Sequence, residues 1–279
     1  MSRPVRIEFP GAHYHVTSRG TNEQAVFLDE DDRGTFLNVL SGVVERFGWQ
    51  LHSYVLMDNH YHLVVAVPEA NLSKGMRQLN GVYTQHFNRR HGREGSLFQG
   101  RFRSILFEPE SYLLPLCRHV VLNPVRASAI RSPNSHRWSS YRALAGTVKA
   151  PVYLHTRAIL AAFSKQPDEA RRQYREYVRA GIGEASPLAD RAHQVLLGSP
   201  SFLNEMQPIL NGEKLAKRGP KRVGRRRSLP ALFKNVDNKT RAERNELIRR
   251  AHIDYHYTLM EIGDFLGIHY TTVSKVVNR

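Results

Sequence analysis

Up to Pro124 the apolar positions of the chain switch between strand-like alternation and helical spacing. His13 to Ser18 reads as a strand. Asp29 to Asp32 then supply the negative first turn of a helix along which Phe36, Leu37, Leu40, Val43, Val44 and Phe47 recur on one side. Trp49 to Met57 and Tyr61 to Val67 read as two strands joined by turn chemistry at Asp58 and Asn59, that is, as a hairpin. Met76, Leu79, Val82, Tyr83 and Phe87 mark a helix from about Ser73 to Arg90. Leu97 to Phe107 is strand-like, and Glu108 to Ser111 open a helix that Pro124 is expected to end. The succession predicts an α+β fold, an antiparallel sheet with helices packed on one face.

Beyond this point Arg137 to Tyr141 lead into a short helix, and residues 155–210 read as wholly helical, with segments near Ala158, from Glu169 to Val178 and from Leu188 to Leu197. Lys217, Arg218, Lys221, Arg222, Arg225, Arg226 and Arg227 then interleave with Gly219, Pro220 and Gly224, as in a flexible basic linker that tracks phosphates or, equally, a solvated charge run. A compact helical module closes the chain, and there is no internal repeat. The expected organisation is a sheet domain over 1–146, a helical extension over 147–210, a linker over 211–228 and a terminal module over 229–279.

Composition narrows the function. The net charge is +16, with a pI near 10.3. There are 17 basic against 12 acidic residues up to Gly146, and 24 against 13 beyond it. Such a surplus attracts a polyanion, nucleic acid before anionic lipid. No stretch is apolar enough to span a bilayer, and the polar start from Met1 to Pro10 lacks a secretory signal. Cys117 is the single cysteine, which excludes an intrachain disulfide and a thiolate metal cluster and fits a reducing cytoplasm.

Two His-x-His triplets, His13-Tyr14-His15 and His60-Tyr61-His62, carry candidate chemistry. Side chains two apart on a strand share a face, so each pair can point both imidazoles at one cation or simply be ordinary strand residues. The second pair follows a hairpin turn and precedes the apolar run from Leu63 to Val67, the mark of a central strand. A third ligand is available in Asn123, which lies one helical turn after His119, although Asn123 also suits a helix C-cap. Arg101 and Arg103 alternate with Phe98 and Phe102, the combination that grips single strands by phosphate contact and base stacking, or a half-buried strand with a solvated face.

Asn59-His60-Tyr61-His62-Leu63, Leu97-Phe98-Gln99-Gly100-Arg101-Phe102, Leu122-Asn123-Pro124-Val125-Arg126-Ala127 and Trp138-Ser139-Ser140-Tyr141 follow, in that order, an opening Tyr14-His15-Val16-Thr17-Ser18-Arg19-Gly20. Together, over roughly residues 5–145, they resemble the REP-associated tyrosine transposases, single-tyrosine members of the HUH superfamily with an IS200-like transposase domain. The resemblance implies a ferredoxin-like sheet and a metal-dependent endonuclease acting on single-stranded or hairpin DNA. It assigns Mg²⁺ or Mn²⁺ to His60, His62 and Asn123, DNA contact to Arg101, Arg103 and Arg126, and a homodimer. Two imidazoles and an amide favour Mn²⁺ somewhat over Mg²⁺. The family's nucleophile is a tyrosine four residues before the asparagine, and here that position is His119. Tyr112, seven residues earlier, is the substitute candidate, or else a packing aromatic at a helix start. A catalytically inactive, domesticated DNA-binding protein or regulator is therefore the rival to an active transposase. An RNA-binding module on the same sheet topology leaves the His pair without a role.

The terminal module has the rhythm of a helix-turn-helix. Thr258 caps a helix through Leu259, Met260, Ile262, Phe265 and Leu266, Gly267 permits the turn, and a second helix follows. Ile262, Leu266, Ile268 and Val273 make its small core. His269, Tyr270, Thr271, Thr272, Ser274 and Lys275 are then left to meet duplex DNA. A helical oligomerisation module is the alternative.

Overall fold

The computed structural model describes residues 7–192, 195–210, 228–236, 239–253, 255, 257 and 259–277. Strand β1 (Ala12–Arg19), helix α1 (Glu30–Phe47), strands β2 (Gln50–Leu56) and β3 (His60–Val67), helix α2 (Leu72–His91) and strand β4 (Arg103–Phe107) form one sheet in the order β2-β3-β1-β4. Neighbouring strands in this set run antiparallel, which gives the ferredoxin-like arrangement. Asp29 caps α1 by accepting from the Asp32 amide at 3.0 Å, and Gly48 ends the helix in the left-handed conformation at φ +65°.

One face of the sheet presents Tyr14, Val16, Tyr61, Leu63 and Val65 to α1 and α2. Gly75 of α2 lies so close to the indole of Trp49 that an added Cβ would sit 2.2 Å from the ring. Trp49 in turn donates to the Asn71 carboxamide at 2.8 Å, so the ring has little freedom to withdraw. Gly75→Ala is therefore expected to destabilise the first unit by about 1–3 kcal/mol through overpacking, measurable as a lower denaturant midpoint at unchanged slope.

The other face is covered as well, which corrects the expectation of helices on one face alone. Helix α3 (Pro109–Val121) brings Leu116, Cys117, Val120 and Val121 against Val55, Val64 and Phe107, and helix α7 (Pro167–Ala180) adds Tyr174 and Val178. The reason is visible in β3: from Tyr61 to Val67 every residue is buried, so both sides need a cover. Between α3 and α7 lie α4 (Asn123–Arg126), α5 (Tyr141–Leu144) and α6 (Arg157–Leu160).

Three further expectations change. Only Arg103–Phe107 of the stretch from Leu97 forms a ladder strand. Before it, Leu97, Phe98 and Phe102 are buried in an irregular segment that meets the end of β1 through a bridge from Gly20 to Phe98 and a bond from the Gln99 amide to the Arg19 carbonyl. Residues 155–210 are not wholly helical: Leu188 to Leu197 includes a short strand, β5 (Leu196–Leu197), parallel to β4, before α8 (Pro200–Leu210). Pro124 does not end α3. Leu122 is the C-cap, and Pro124 occupies the first turn of α4, where its missing N–H costs nothing.

The chain divides into two compact units, 1–218 and 219–279. In the second, α9 (Leu229–Leu232), α10 (Arg241–Ile253), α11 (Leu259–Leu266) and α12 (Tyr270–Val277) surround Phe233, Ile248, Ala251, Ile262 and Val273. Gly267 at φ +65° makes the turn from α11 to α12, with the Ile268 amide donating to the Gly263 carbonyl at 2.9 Å. The basic run from Lys217 to Arg227 and the proposed cap Thr258 lie outside the described residues. Among the described residues no helix is long and apolar enough to cross a membrane.

Candidate nuclease site on the histidine face

The sheet face under α3 collects the histidines. Antiparallel register sets Thr17 opposite both His62 of β3 and Arg103 of β4, and Arg19 opposite His60. His60, His62, Thr17, Arg19 and Arg103 therefore share one face at one end of three adjacent strands. The rings of His60 and His62 are 5.0 Å apart, nearly perpendicular. Two imidazoles bound side by side to one cation, at metal–nitrogen distances of about 2 Å, place their ring centres about 4.5–5 Å apart. The donor set thus fits a shared ion.

Hydrogen bonds occupy the inner nitrogens. His60 Nδ1 lies 2.6 Å from the Asn59 carboxamide oxygen, and His62 Nδ1 lies 2.9 Å from His15 Nε2 and 3.2 Å from Thr17 Oγ1. The Nε2 atoms are the remaining metal donors. Burial keeps these rings neutral, the form that ligates. It lowers His60 to about 4, with Arg19 adding to the effect, and holds His62 well below its usual range, with His15, His60 and His119 contributing further.

Helix α3 brings His119 over the pair. Its ring stands edge-on, 6.2 Å from His15 and 6.4 Å from His62, and its Nδ1 is 3.4 Å from the Ser186 hydroxyl. Burial, then the Arg126 guanidinium, lowers His119 to about 4. Asn123, the first residue of α4, donates its amide to the His119 carbonyl at 3.0 Å, so the two are tied together through α3. Tyr112, two turns earlier, is partly buried against the second core. Among the described residues no three His, Cys, Asp or Glu side chains group as a metal site, so a bound ion would complete its shell with other oxygens.

The charged residues fall into place around this face. Arg103 opens β4 and is exposed, and Arg101 is exposed in the preceding bend. Arg126 is exposed at the end of α4, beside an open pocket of about 360 Å³ lined by Leu122, Val125, Ile182 and Glu184. His13, by contrast, stacks on His52 at 5.8 Å, away from the pair. In the second unit His269, Tyr270, Thr271 and Thr272 are all exposed at the start of α12. His269 Nδ1 lies 2.8 Å from the Thr271 hydroxyl. Ser274 and Lys275 lie on α12, with their side chains outside the described residues.

Sequence reasoning missed His15, Thr17, Arg19 and Ser186 as neighbours of the site. The first three sit in the opening motif, but only the strand register reveals which of them meet His60 and His62.

Residues 8–113 match the family model of IS200-like transposases. This stretch is similar to an IS200-like transposase domain. The match spans His60 and His62 and stops before His119 and Asn123. Two solved structures resemble parts of the chain. One is a REP-associated tyrosine transposase bound to a REP hairpin, at 16% identity and a TM-score of 0.46, covering 54% of this chain and 89% of that one. The other is a candidate transposase from Deinococcus radiodurans R1, at 15% identity and a TM-score of 0.30, covering 46% and 91%. No curated protein matches the chain.

Proposed function

We propose that the chain binds single-stranded or hairpin DNA on the histidine face of its transposase domain, in the manner of the REP-associated tyrosine transposases. The observation that carries this reading is the His60–His62 pair, 5.0 Å apart and flanked on the same sheet face by Arg19 and Arg103. A neutral imidazole pair suits a divalent cation, and the flanking guanidiniums suit the phosphates that follow it.

His60 and His62, with the Asn123 carboxamide oxygen, would hold Mn²⁺ or Mg²⁺. Such an ion would supply charge neutralisation at the non-bridging oxygens of a scissile phosphate. The chain itself supplies the rest. Arg103 and Arg126 attract the backbone, the irregular segment around Arg101 gives a second contact, and α3 brings residue 119 to the reacting end of the site. A tyrosine there would give a 5′-phosphotyrosine link. His119 cannot, and this single residue favours the second reading, a DNA-binding protein or regulator that has kept the domain and lost most of its cleavage activity.

The second unit is proposed to be a helix-turn-helix. Its first helix is α11, and α12 presents His269, Tyr270, Thr271, Thr272, Ser274 and Lys275 to duplex DNA. A homodimer is proposed from the family resemblance. Binding titrations test the whole reading. Affinity for hairpin DNA is expected to fall steeply between low and physiological salt, by roughly tenfold or more for each two to three phosphates contacted. Deleting residues 229–279 is expected to weaken duplex binding more than hairpin binding. A flat salt response, or equal losses on both substrates, contradicts the two-site arrangement.

A further inference from the structure

We infer that His15 is a positioning residue for the metal site: it accepts a hydrogen bond from the Nδ1–H of His62 and so leaves the Nε2 lone pair of His62 for the cation. The inference rests on the proposed metal reading of the His60–His62 pair. Its ground is a contact between β1 and β3, with His15 Nε2 2.9 Å from His62 Nδ1 and the two ring planes nearly parallel, at 10°, with their centres 5.1 Å apart.

A neutral imidazole has one N–H and one lone pair, so a hydrogen bond at one nitrogen decides the role of the other. Where His62 Nδ1 carries the proton, His15 Nε2 accepts the hydrogen bond and Thr17 Oγ1 is a second acceptor at 3.2 Å. Where His15 donates instead, the proton of His62 moves to Nε2 and the metal donor is lost. Ligating histidines generally carry a partner of this kind on their second nitrogen, and its removal weakens metal binding.

A packing role for His15 accounts poorly for what surrounds it. The residue is 2% exposed, and its Nδ1 has no hydrogen-bond partner among the described residues. Accepting at Nε2 puts its own proton on that unpartnered Nδ1. A phenyl ring would fill the same space with no polar atom to bury. The imidazole leaves a polar atom unsatisfied, and what it provides in return is the bond to His62.

The test uses the full chain, with Mn²⁺ affinity measured by calorimetry and circular dichroism as the check on folding. His15→Phe is expected to weaken Mn²⁺ binding about 10–100-fold, and His15→Gln, whose amide oxygen can still accept near the position of Nε2, to stay within about threefold of wild type. A purely structural role predicts the reverse order, with the apolar ring tolerated better than the amide. A second readout needs no variant. Long-range ¹H–¹⁵N spectra of the wild-type chain, loaded with Zn²⁺ as a diamagnetic probe, are expected to place the His62 proton on Nδ1 and the metal on Nε2. A His62 proton on Nε2, or His15→Phe binding Mn²⁺ as tightly as wild type, overturns the inference while the metal reading stands. A wild-type chain that binds neither ion overturns both.

Discussion

On the proposed nuclease reading, His119→Tyr is expected to give a chain that traps its own DNA. On a labelled single-stranded hairpin with Mn²⁺, the variant is expected to form a covalent protein–DNA adduct on the order of a hundredfold or more above wild type, since restoring a missing nucleophile changes rates by orders of magnitude. The geometry supports this position. Residue 119 already faces His15 and His62 at 6.2 and 6.4 Å between rings, and Asn123 braces its backbone. Neutral His119 is a poor nucleophile at phosphorus, and any adduct it forms is a phosphoramidate, which acid hydrolyses, whereas a tyrosine ester survives acid. Tyr112→Phe is expected to change little in either background, because Tyr112 is partly buried against the second core two turns away. An acid-stable wild-type adduct that Tyr112→Phe abolishes would move the nucleophile to Tyr112. Tight hairpin binding with no adduct in any variant would favour the regulator.

The second large effect is loss of stability in mild acid. Burial pushes His15 down to about 3, with His119 adding to the shift. Burial likewise lowers His52 to about 3, with His13 and His155 contributing, and His52 lies at the bulge between Leu51 and Ser53, stacked on His13. In the unfolded chain these imidazoles take up a proton near their ordinary value of about 6.5. Stability is therefore complete above about pH 7 and falls as the pH drops toward 3, since only the unfolded state is binding protons across that window. Between pH 7 and pH 5 the loss is on the order of 2 kcal/mol for each of the two residues. Denaturant unfolding at the two pH values measures it. His60, His62 and His119 add losses of the same sign, so His52→Phe is expected to reduce the total by about 2 kcal/mol, and an unchanged dependence would show that the burial of His52 is not one of its sources.

The sequence by itself determined the ferredoxin-like succession of strands and helices, because local chemistry carries it: an Asp cap and a left-handed glycine bound α1, and a two-residue turn sets β2 against β3. It also determined that His60 and His62 share a face, since a strand repeats every two residues. The apolar run after His62 marks a central strand, but that helices cover both of its faces follows only from the packing of α3 and α7 against it. Tertiary structure alone decided the rest. Which residues of β1 meet His62 depends on a register between strands far apart in sequence, and a slip of one residue would have put Val16 in place of Thr17 or His15. The bulge at His52 puts a further buried imidazole on the same face, which alternation from Ser53 would have placed on the other. Ser186 reaches His119 from an extension whose two-residue strand β5 also joins the sheet edge beside β4. Such contacts have no local signature, because their stability comes from burial shared between distant segments and not from the preferences of either one.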